Sequence, residues 1–235
     1  ALTFESSVRS IVSKIDLQTS KEVLSARHDF NDRDMANAAC FSPLGDLLFV
    51  ASQGSNSVEV LDASNSQILS AVLNTGSAPQ GLLVDDQNRL YVHNYLSRTL
   101  AVYDISKLLD GSGILETQVA EIKLVKNELL PAAILRGKKT FHFAGDPRMS
   151  LDGYISCASC HQDGGQDGRV WDFTDRGEGL RNTISLNGRS GIGHGRLHWS
   201  ANFDEVQDFE HDIRGPFGGE GLIKDMHKST IKDFY

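Results

Sequence analysis

Residues 47–62, LLFVASQGSNSVEVLD, and residues 89–104, RLYVHNYLSRTLAVYD, are two copies of one pattern. Phe49 in the first copy corresponds to Tyr91 in the second, 42 residues later, and the surrounding apolar and turn residues keep the same interval. Short alternating strands that repeat every ~40–45 residues are typical of β-propeller blades. The repeat therefore predicts consecutive four-stranded antiparallel blades in the first half of the chain.

The number of predicted blades is too small for a closed propeller. Residues 37–73 and 81–124 each predict one blade, whereas residues 11–16 and 22–24 predict only the outer two strands of a third. Propellers close with roughly four to eight blades, so residues 1–126 are expected to be a partial propeller of about two and a half blades. The remaining blades are expected to come from the parent chain or from another chain.

The sequence Cys157-Ala158-Ser159-Cys160-His161 is a Cys-x-x-Cys-His motif, the attachment site of a c-type haem. The two thiols add to the vinyl groups of one porphyrin, and the histidine is then held as the proximal ligand of the iron. A redox-active cysteine pair would need a βαβ context, and a structural zinc site would need a second ligand pair. The sequence has neither. Cys40 has apolar neighbours and is predicted to be a buried, inert thiol.

Composition and charge argue against two classes of protein, those that span a membrane and those that bind nucleic acid. The chain has 235 residues, 40% of them hydrophobic, and a formal net charge of −8. No apolar run is long enough to cross a bilayer, so no membrane span is expected. The acidic balance and the lack of a Lys/Arg block argue against binding to nucleic acid. The haem motif implies attachment outside the cytoplasm, so we expect a periplasmic or extracellular protein whose export signal lies upstream of Ala1 or has been removed.

Residues 76–82, GSAPQGL, lead into residues 90–94, LYVHN. This string resembles the YVTN-type and lactonase-like propellers. The resemblance covers about half the chain and transfers no catalytic residue to it. Propellers of this type mostly serve as binding surfaces or scaffolds. One hypothesis is therefore a propeller module that binds a partner and carries a haem domain.

The strand pattern stops after residue 126, and Leu129–Phe143 has helical spacing. Residues 136–141, RGKKTF, with the haem motif downstream, resemble the first helix of cytochrome c domains. The resemblance implies a mainly α, cytochrome c-like haem domain over residues 127–235, truncated at its C-terminus.

Three later segments are similar to the bacterial di-haem cytochrome c peroxidase and MauG group. They are Leu180–Asn187, Leu197–Trp199 and Asp204–Glu210, and the match covers roughly the last hundred residues. By this resemblance, Trp199 lies on the path between two haems, and Gln207 faces the distal side of the first haem. The group carries two haem motifs, so a second haem domain is expected beyond Tyr235.

The sixth position of the iron is less well defined. The group's distal acid has no clean counterpart, because Glu210 comes too early and Glu220 too late. Residues 175–179, where some members carry a distal histidine, read DRGEG. We favour His198 as the distal ligand because it lies in a matched segment, whereas Met149 is expected in a surface loop. The other side chains that could bind the iron are His194, His211, His227 and Met226.

Two parts of the sequence are candidates for binding calcium, an acidic loop and Asn187. An acidic loop follows the haem motif, but its spacing is not that of an EF-hand, and a solvated loop is the expected role. Its members are Asp163, Asp167, Asp172 and Asp175. The peroxidase group binds calcium between its haem domains, and by that resemblance Asn187 is the better candidate.

Three functions follow from these patterns. The first is a c-type haem protein that transfers electrons to a redox partner or a second haem domain. The second is a peroxidase of the cytochrome c type, in which Gln207 and a nearby carboxylate help to reduce hydrogen peroxide. The third is the propeller-based binding or scaffold module.

Overall fold

The computed structural model describes residues 9–113, 118–174, 177–188 and 195–223. The strands, in chain order, are β1 (Ile11–Val12), β2 (Ile15–Asp16), β3 (Lys21–Glu22), β4 (His28–Asp29), β5 (Ala36–Phe41), β6 (Leu47–Ser52), β7 (Ser57–Asp62), β8 (Ile68–Leu73), β9 (Pro79–Val84), β10 (Arg89–Asn94), β11 (Thr99–Asp104), β12 (Gln118–Lys123), β13 (Val170–Phe173) and β14 (Gly179–Asn182). The α-helices are α1 (Ser106–Leu109), α2 (Ala132–Phe141), α3 (Cys157–Cys160) and α4 (Glu210–Arg214). Single 3₁₀ turns lie at Leu24–Ala26, Gln53–Ser55, Gln162–Gly164 and Val206–Phe209.

Two four-stranded antiparallel sheets form the first half of the chain. One has the order β5-β6-β7-β8, and the other runs from β9 to β12 with each strand beside the next. Phe49 lies opposite Val60 in the first sheet, and Tyr91 lies opposite Val102 in the second. The repeat predicted this equivalence, and it is confirmed. A tight turn with Asn56 in the left-handed region, at φ 54°, connects β6 to β7, and asparagine tolerates that conformation well.

The two sheets share one hydrophobic core. Residues that alternate along the inner strands point into it, because successive side chains of a strand face opposite sides of the sheet. Phe49 and Val60 of the first sheet and Leu90 of the second have no exposed surface. The other buried members are Leu47, Ala51, Val58, Val92, Ala101, Tyr103 and Ile105. This arrangement is that of neighbouring propeller blades.

The N-terminal strands form two short ladders. Strand β2 pairs with β3, and β1 pairs with β4, over two residues each. Phe30, which follows β4, is fully buried against Val50 and Leu61 of the first sheet. Of the two strands predicted for a third blade, residues 11–16 are divided between β1 and β2, and residues 22–24 form a strand only at Glu22, because Leu24 begins a 3₁₀ turn.

The second half of the chain departs from the predicted architecture. The helix expected over Leu129–Phe143 is present as α2, but α3 and α4 are single short turns, and β13 and β14 form a hairpin. The prediction of a mainly α, cytochrome c-like domain is wrong for the described residues. Glycine and Asx turns explain the difference. Asp163 and Gly164, directly after the haem motif, have φ values of 52° and 75°, which a continuing helix cannot include.

Two smaller predictions concern a membrane span and the thiol of Cys40. Among the described residues, no helix combines the length and the apolar character that a bilayer crossing requires. Cys40 lies on β5, is half-buried against the shared core and forms no disulfide. Burial raises the pKa of its thiol to about 11. The predicted inert thiol thus agrees with the structure, although its burial is only partial.

Candidate haem attachment site

The two cysteines of the haem motif are the first and last residues of a single helical turn, α3. One serine, Ser156, precedes Cys157, and another, Ser159, lies between the two cysteines. Ser156 is the N-cap residue, and its backbone N–H donates to Ser159 Oγ over 2.8 Å. The backbone N–H of His161 donates to the Cys157 carbonyl over 3.0 Å. Serine caps a helix because its oxygen satisfies backbone N–H groups that have no partner within the helix. The turn therefore follows from the local sequence.

A residue of the first half reaches into this turn. Asp34, between β4 and β5, is only 2% exposed. Its carboxylate accepts hydrogen bonds from Ser156 Oγ over 2.9 Å and from Ser159 Oγ over 2.8 Å. A second connection joins the backbone N–H of Ala144 to the Gly54 carbonyl over 2.8 Å. The haem motif is thus held against the first propeller sheet.

The two cysteines of the motif are free thiols in the structure. Burial is the main cause that raises the pKa of Cys157 to about 11 and that of Cys160 to about 12. Redox-active and metal-binding cysteines have lowered pKa values, because the thiolate is the reactive form. These pKa values argue against a redox pair and are compatible with thiols that become thioethers.

The ring of His161 has a defined orientation. Its Nδ1 lies 3.4 Å from the Gly165 carbonyl oxygen. Because a carbonyl can only accept, Nδ1 carries the hydrogen, and Nε2 keeps its lone pair. Burial lowers the pKa of His161, against smaller raising effects of backbone hydrogen bonds to Gly165 and Ile184. A neutral imidazole with Nδ1–H bound to a carbonyl is the usual state of a metal-ligating histidine.

A mostly apolar cleft of about 360 Å³ borders Cys157. Residues of helix α2 line it although none of them is buried, and Met149, which also lines it, is fully buried. The surface position expected for Met149 is therefore wrong, because the turn at Asp146 folds the loop inward. The lining residues are Gly137, Thr140, Phe141, Arg148, Met149, Cys157 and Leu222.

These residues fit a haem. An apolar cleft beside an attachment thiol suits a porphyrin face, and the uncovered side of α2 lacks a partner that a porphyrin would supply. The buried Nε of Arg181 has no hydrogen-bond partner. Arg181 lies on β14, is not among the residues that line the cleft, and donates through Nη1 to the Leu180 carbonyl over 2.9 Å.

His198 lies in a polar and aromatic setting. Its Nδ1 is 3.0 Å from Asn202 Oδ1, and Glu178 Oε1 is 3.8 Å away. The buried Glu178 also accepts from Asn202 Nδ2 over 3.0 Å. The His198 ring packs on Phe203 with 4.2 Å between centroids and meets Phe209 edge-on at 4.9 Å. These contacts fix the orientation of the His198 ring, and the Glu178 carboxylate lies near its Nδ1.

The structure brings together several of the matched segments. Trp199 Nε1 donates to the Asn182 carbonyl over 2.8 Å, and the Leu186 backbone N–H donates to the Gly164 carbonyl over 2.7 Å. The segment around residue 184 thus lies against the loop that follows His161. Trp199 remains 62% exposed. Its predicted role between two haems is untested by this arrangement and stays a prediction.

The residues expected on the distal side are placed differently. Gln207 is exposed on the 3₁₀ turn Val206–Phe209. Glu210 is 3% exposed and fully engaged, because it accepts from Arg214 Nε over 2.7 Å and from the Leu222 backbone N–H over 3.0 Å. Glu220 is exposed. Glu210 therefore stabilises its own segment and is not a free acid.

Some candidates lie outside the described residues, namely Asp175, His194, Met226 and His227. Within the described part of the chain, no three His, Cys, Asp or Glu side chains converge as a metal site would require. Asp167 accepts from Trp171 Nε1 over 2.9 Å, and Asp172 accepts from the Thr174 backbone N–H over 2.9 Å. These bonds suit an ordinary polar loop, and calcium at Asn187 stays a prediction.

Sequence reasoning missed Asp34, and its environment gives a testable pH dependence. Burial raises the pKa of Asp34 from 3.8 to about 7, against smaller lowering effects of the Ser159 and Ser156 hydrogen bonds. The folded chain therefore holds this proton more tightly than the unfolded chain. The resulting stability is complete below about pH 4 and is lost as the pH rises to about 7.

Each pH unit between the two pKa values corresponds to about 1.4 kcal/mol, so the free energy of unfolding should fall by on the order of 4 kcal/mol across this window. Urea unfolding of the wild type and of Asp34→Asn at several pH values measures it. The stability difference between the two should change over the window, and a difference independent of pH would contradict the assignment.

Comparisons with known proteins find partly similar solved structures but assign the chain to no family. No protein-family model matches the sequence, and no curated protein matches it. The β-propeller domain of Cps50 (Swd1) from Myceliophteria thermophila is 15% identical, with a TM-score of 0.39 over 47% of this chain and 38% of its own. The periplasmic gluconolactonase PpgL of Pseudomonas aeruginosa is 17% identical, with a TM-score of 0.40 over 53% of this chain and 36% of its own.

A third similar structure is the dihydro-heme d1 dehydrogenase NirN, which is 26% identical, with a TM-score of 0.35 over 46% of this chain and 21% of its own. The chain thus spans less than two fifths of the length of each of these structures. With TM-scores this low, none of the three assigns the chain to a family or gives it an activity. None of them is a cytochrome c peroxidase.

Proposed function

We propose that this chain binds one haem c covalently through Cys157 and Cys160, with His161 Nε2 as the proximal ligand, and transfers electrons. The observation that carries the proposal is the state of His161 within the motif. Its Nδ1 faces the Gly165 carbonyl at 3.4 Å, so Nε2 is the nitrogen that would bind the iron. When bound, the haem supplies a one-electron couple at its iron.

The protein's own residues would hold this cofactor from several sides. Residues of helix α2 and Met149 line the cleft beside Cys157. His198, held by Asn202 and by its contacts with two phenylalanines, is the proposed distal ligand. A second strong-field ligand suits electron transfer, because it leaves no coordination site for a substrate.

The peroxidase alternative receives less support from the geometry. Cleavage of a peroxide needs a free acid near the iron. Glu210 is buried in an ion pair with Arg214, and Gln207 is exposed on its turn. No described residue of the matched segment therefore combines a free carboxyl with a position in the cleft. Electron transfer, to a redox partner or a second haem domain, is the function we favour.

The location follows from the same chemistry. Haem c is attached outside the cytoplasm, as the motif implies, so we place the protein in the periplasm or the extracellular space. Detection of covalent haem on a form directed to the periplasm, with none on a form kept in the cytoplasm, would test this placement.

Axial ligation is tested by the optical spectrum of the haem-loaded chain. We expect low-spin iron in the wild type and high-spin iron in His198→Ala, because alanine removes the proposed distal ligand. His211→Ala is the matched control and should stay low-spin. Low-spin iron in His198→Ala would contradict the assignment of His198.

Peroxide turnover separates the two redox functions. We expect no turnover above that of free haem, and no change in Gln207→Ala. A tenfold loss of turnover in Gln207→Ala, about 1.4 kcal/mol of transition-state stabilisation, would favour the peroxidase instead.

A further inference from the structure

The strongest unassigned feature of the molecule is the carboxyl of Asp34 beside the haem motif. It lies 122 residues before Ser156 in the chain, yet Ser156 Oγ donates to it over 2.9 Å. Ser159 Oγ donates to its other oxygen over 2.8 Å. Ser156 precedes Cys157, and Ser159 lies between Cys157 and Cys160. The carboxyl of Asp34 therefore contacts the turn on both sides of Cys157.

The carboxyl of Asp34 is buried and accepts hydrogen bonds. Asp34 is 2% exposed and Ser156 has no exposed surface. A carboxyl is costly to bury unless donors satisfy it. Among the described residues, the side chains that donate to its carboxyl are the hydroxyls of the two serines. The burial is therefore compensated mainly by the haem turn.

The backbone of Asp34 is fixed by the first propeller sheet. Its N–H donates to Ser55 Oγ over 2.8 Å, and its carbonyl accepts from the Gly54 N–H over 3.0 Å. Gly54 packs so closely that a Cβ added there would lie 2.1 Å from Asp34 Oδ2. The backbone of Gly54 therefore lies directly against the carboxyl of Asp34.

The contacts within the turn depend on the same serines. The Ser156 backbone N–H donates to Ser159 Oγ over 2.8 Å, and the two hydroxyl oxygens lie 3.3 Å apart. Each hydroxyl thus serves both the turn and Asp34. A change at Asp34 would release both hydroxyls and with them the cap of α3.

We infer that Asp34 is a positioning residue of the haem attachment turn, through which the propeller sheet holds Cys157, Cys160 and His161 in the geometry that a porphyrin needs. The role in haem attachment rests on the proposed function. The holding of the turn itself does not, because the hydrogen bonds join residues of the polypeptide alone.

The first measurement is hydrogen exchange on the full haem-free chain. In Asp34→Ala we expect the amides of Ser159 and His161 to lose at least tenfold in protection, while the amides of β6 and β10 keep theirs. A merely structural role would lower protection in the sheets and in the turn alike. Asp29→Ala, which removes an exposed carboxylate of β4, is the control and should change neither.

Two further variants separate shape from charge. Asp34→Asn keeps one acceptor and should restore most of the protection. Gly54→Ala keeps Asp34 but must displace its carboxyl, so it should lose protection at Ser159 and His161 as Asp34→Ala does. Unchanged exchange at these two amides in both Asp34→Ala and Gly54→Ala would overturn the inference.

The second measurement is the fraction of chains that carry covalent haem after export and maturation. It should fall at least tenfold in Asp34→Ala and recover in Asp34→Asn. If the wild type carries no haem while Asp34→Ala still loses protection, the proposed function fails and the holding of the turn stands. If the wild type carries haem and Asp34→Ala keeps both its haem and its protection, the inference fails and the proposed function stands.

Discussion

Replacing Cys157 and Cys160 together by alanine is expected to abolish covalent haem attachment completely. Each thiol forms one thioether bond to the porphyrin, so without them no covalent bond to the polypeptide remains. The measurement is the mass of the intact chain after production with the export and haem-maturation machinery. The double variant should have the mass of the bare polypeptide, whereas the wild type should carry one haem.

The chain offers its own control for this prediction. Cys40 is the third cysteine and lies on β5 against the shared core of the two sheets. Cys40→Ala should keep the haem, because its thiol is half-buried there and forms no part of the motif. Haem retained covalently in the double variant, or lost in Cys40→Ala, would contradict the assigned attachment site.

Phe49→Ala is expected to reduce the free energy of unfolding by about 3–5 kcal/mol. Phe49 is fully buried in the core between the two sheets. Its loss removes apolar contacts and leaves a cavity that the rigid sheets cannot fill. Denaturant unfolding followed by tryptophan fluorescence or circular dichroism measures the change.

Phe41→Ala is the matched control for that substitution. Phe41 lies on β5, in the same sheet, but is 59% exposed. Its replacement should change the free energy of unfolding by about 0.5 kcal/mol or less. Equal effects of the two substitutions would mean that Phe49 does not lie in a shared core and would contradict the blade arrangement.

The propeller part was predictable because its signal is local and repeated. Alternation along β6 and β10 identifies the inner strands, and the turn residues between strands recur at the same interval. Phe49 and Tyr91 could therefore be placed at equivalent positions from sequence alone. The short ladders β1–β4 and β2–β3 were harder to define, because two-residue pairs leave almost no pattern.

The second half was predicted less well, for a physical reason. Helix α2 has a clear apolar period and was recognised. The resemblance to cytochrome c domains then implied further helices, but glycine and Asx turns after His161 stop them. Among the described residues between Gly164 and Asn187, turns and the pairing of β13 with β14 take the place of helices.

The haem motif could be recognised because its chemistry lies in five consecutive residues. Asp34 could not, because no local pattern connects it with a serine 122 residues away. Burial of a carboxyl is also invisible in a sequence until the fold is known. The inward position of Met149 and the engagement of Glu210 by Arg214 depend on the same long-range packing.

Extraction of the purified wild-type chain with acidic acetone tests the central proposal most directly, because this treatment removes non-covalent haem and leaves thioether-bound haem in place. We predict that the haem stays on the precipitated polypeptide and that a digest gives one haem-bearing peptide containing Cys157, Cys160 and His161. Haem that passes entirely into the organic phase, or a chain that carries none after maturation, would contradict covalent attachment at this motif.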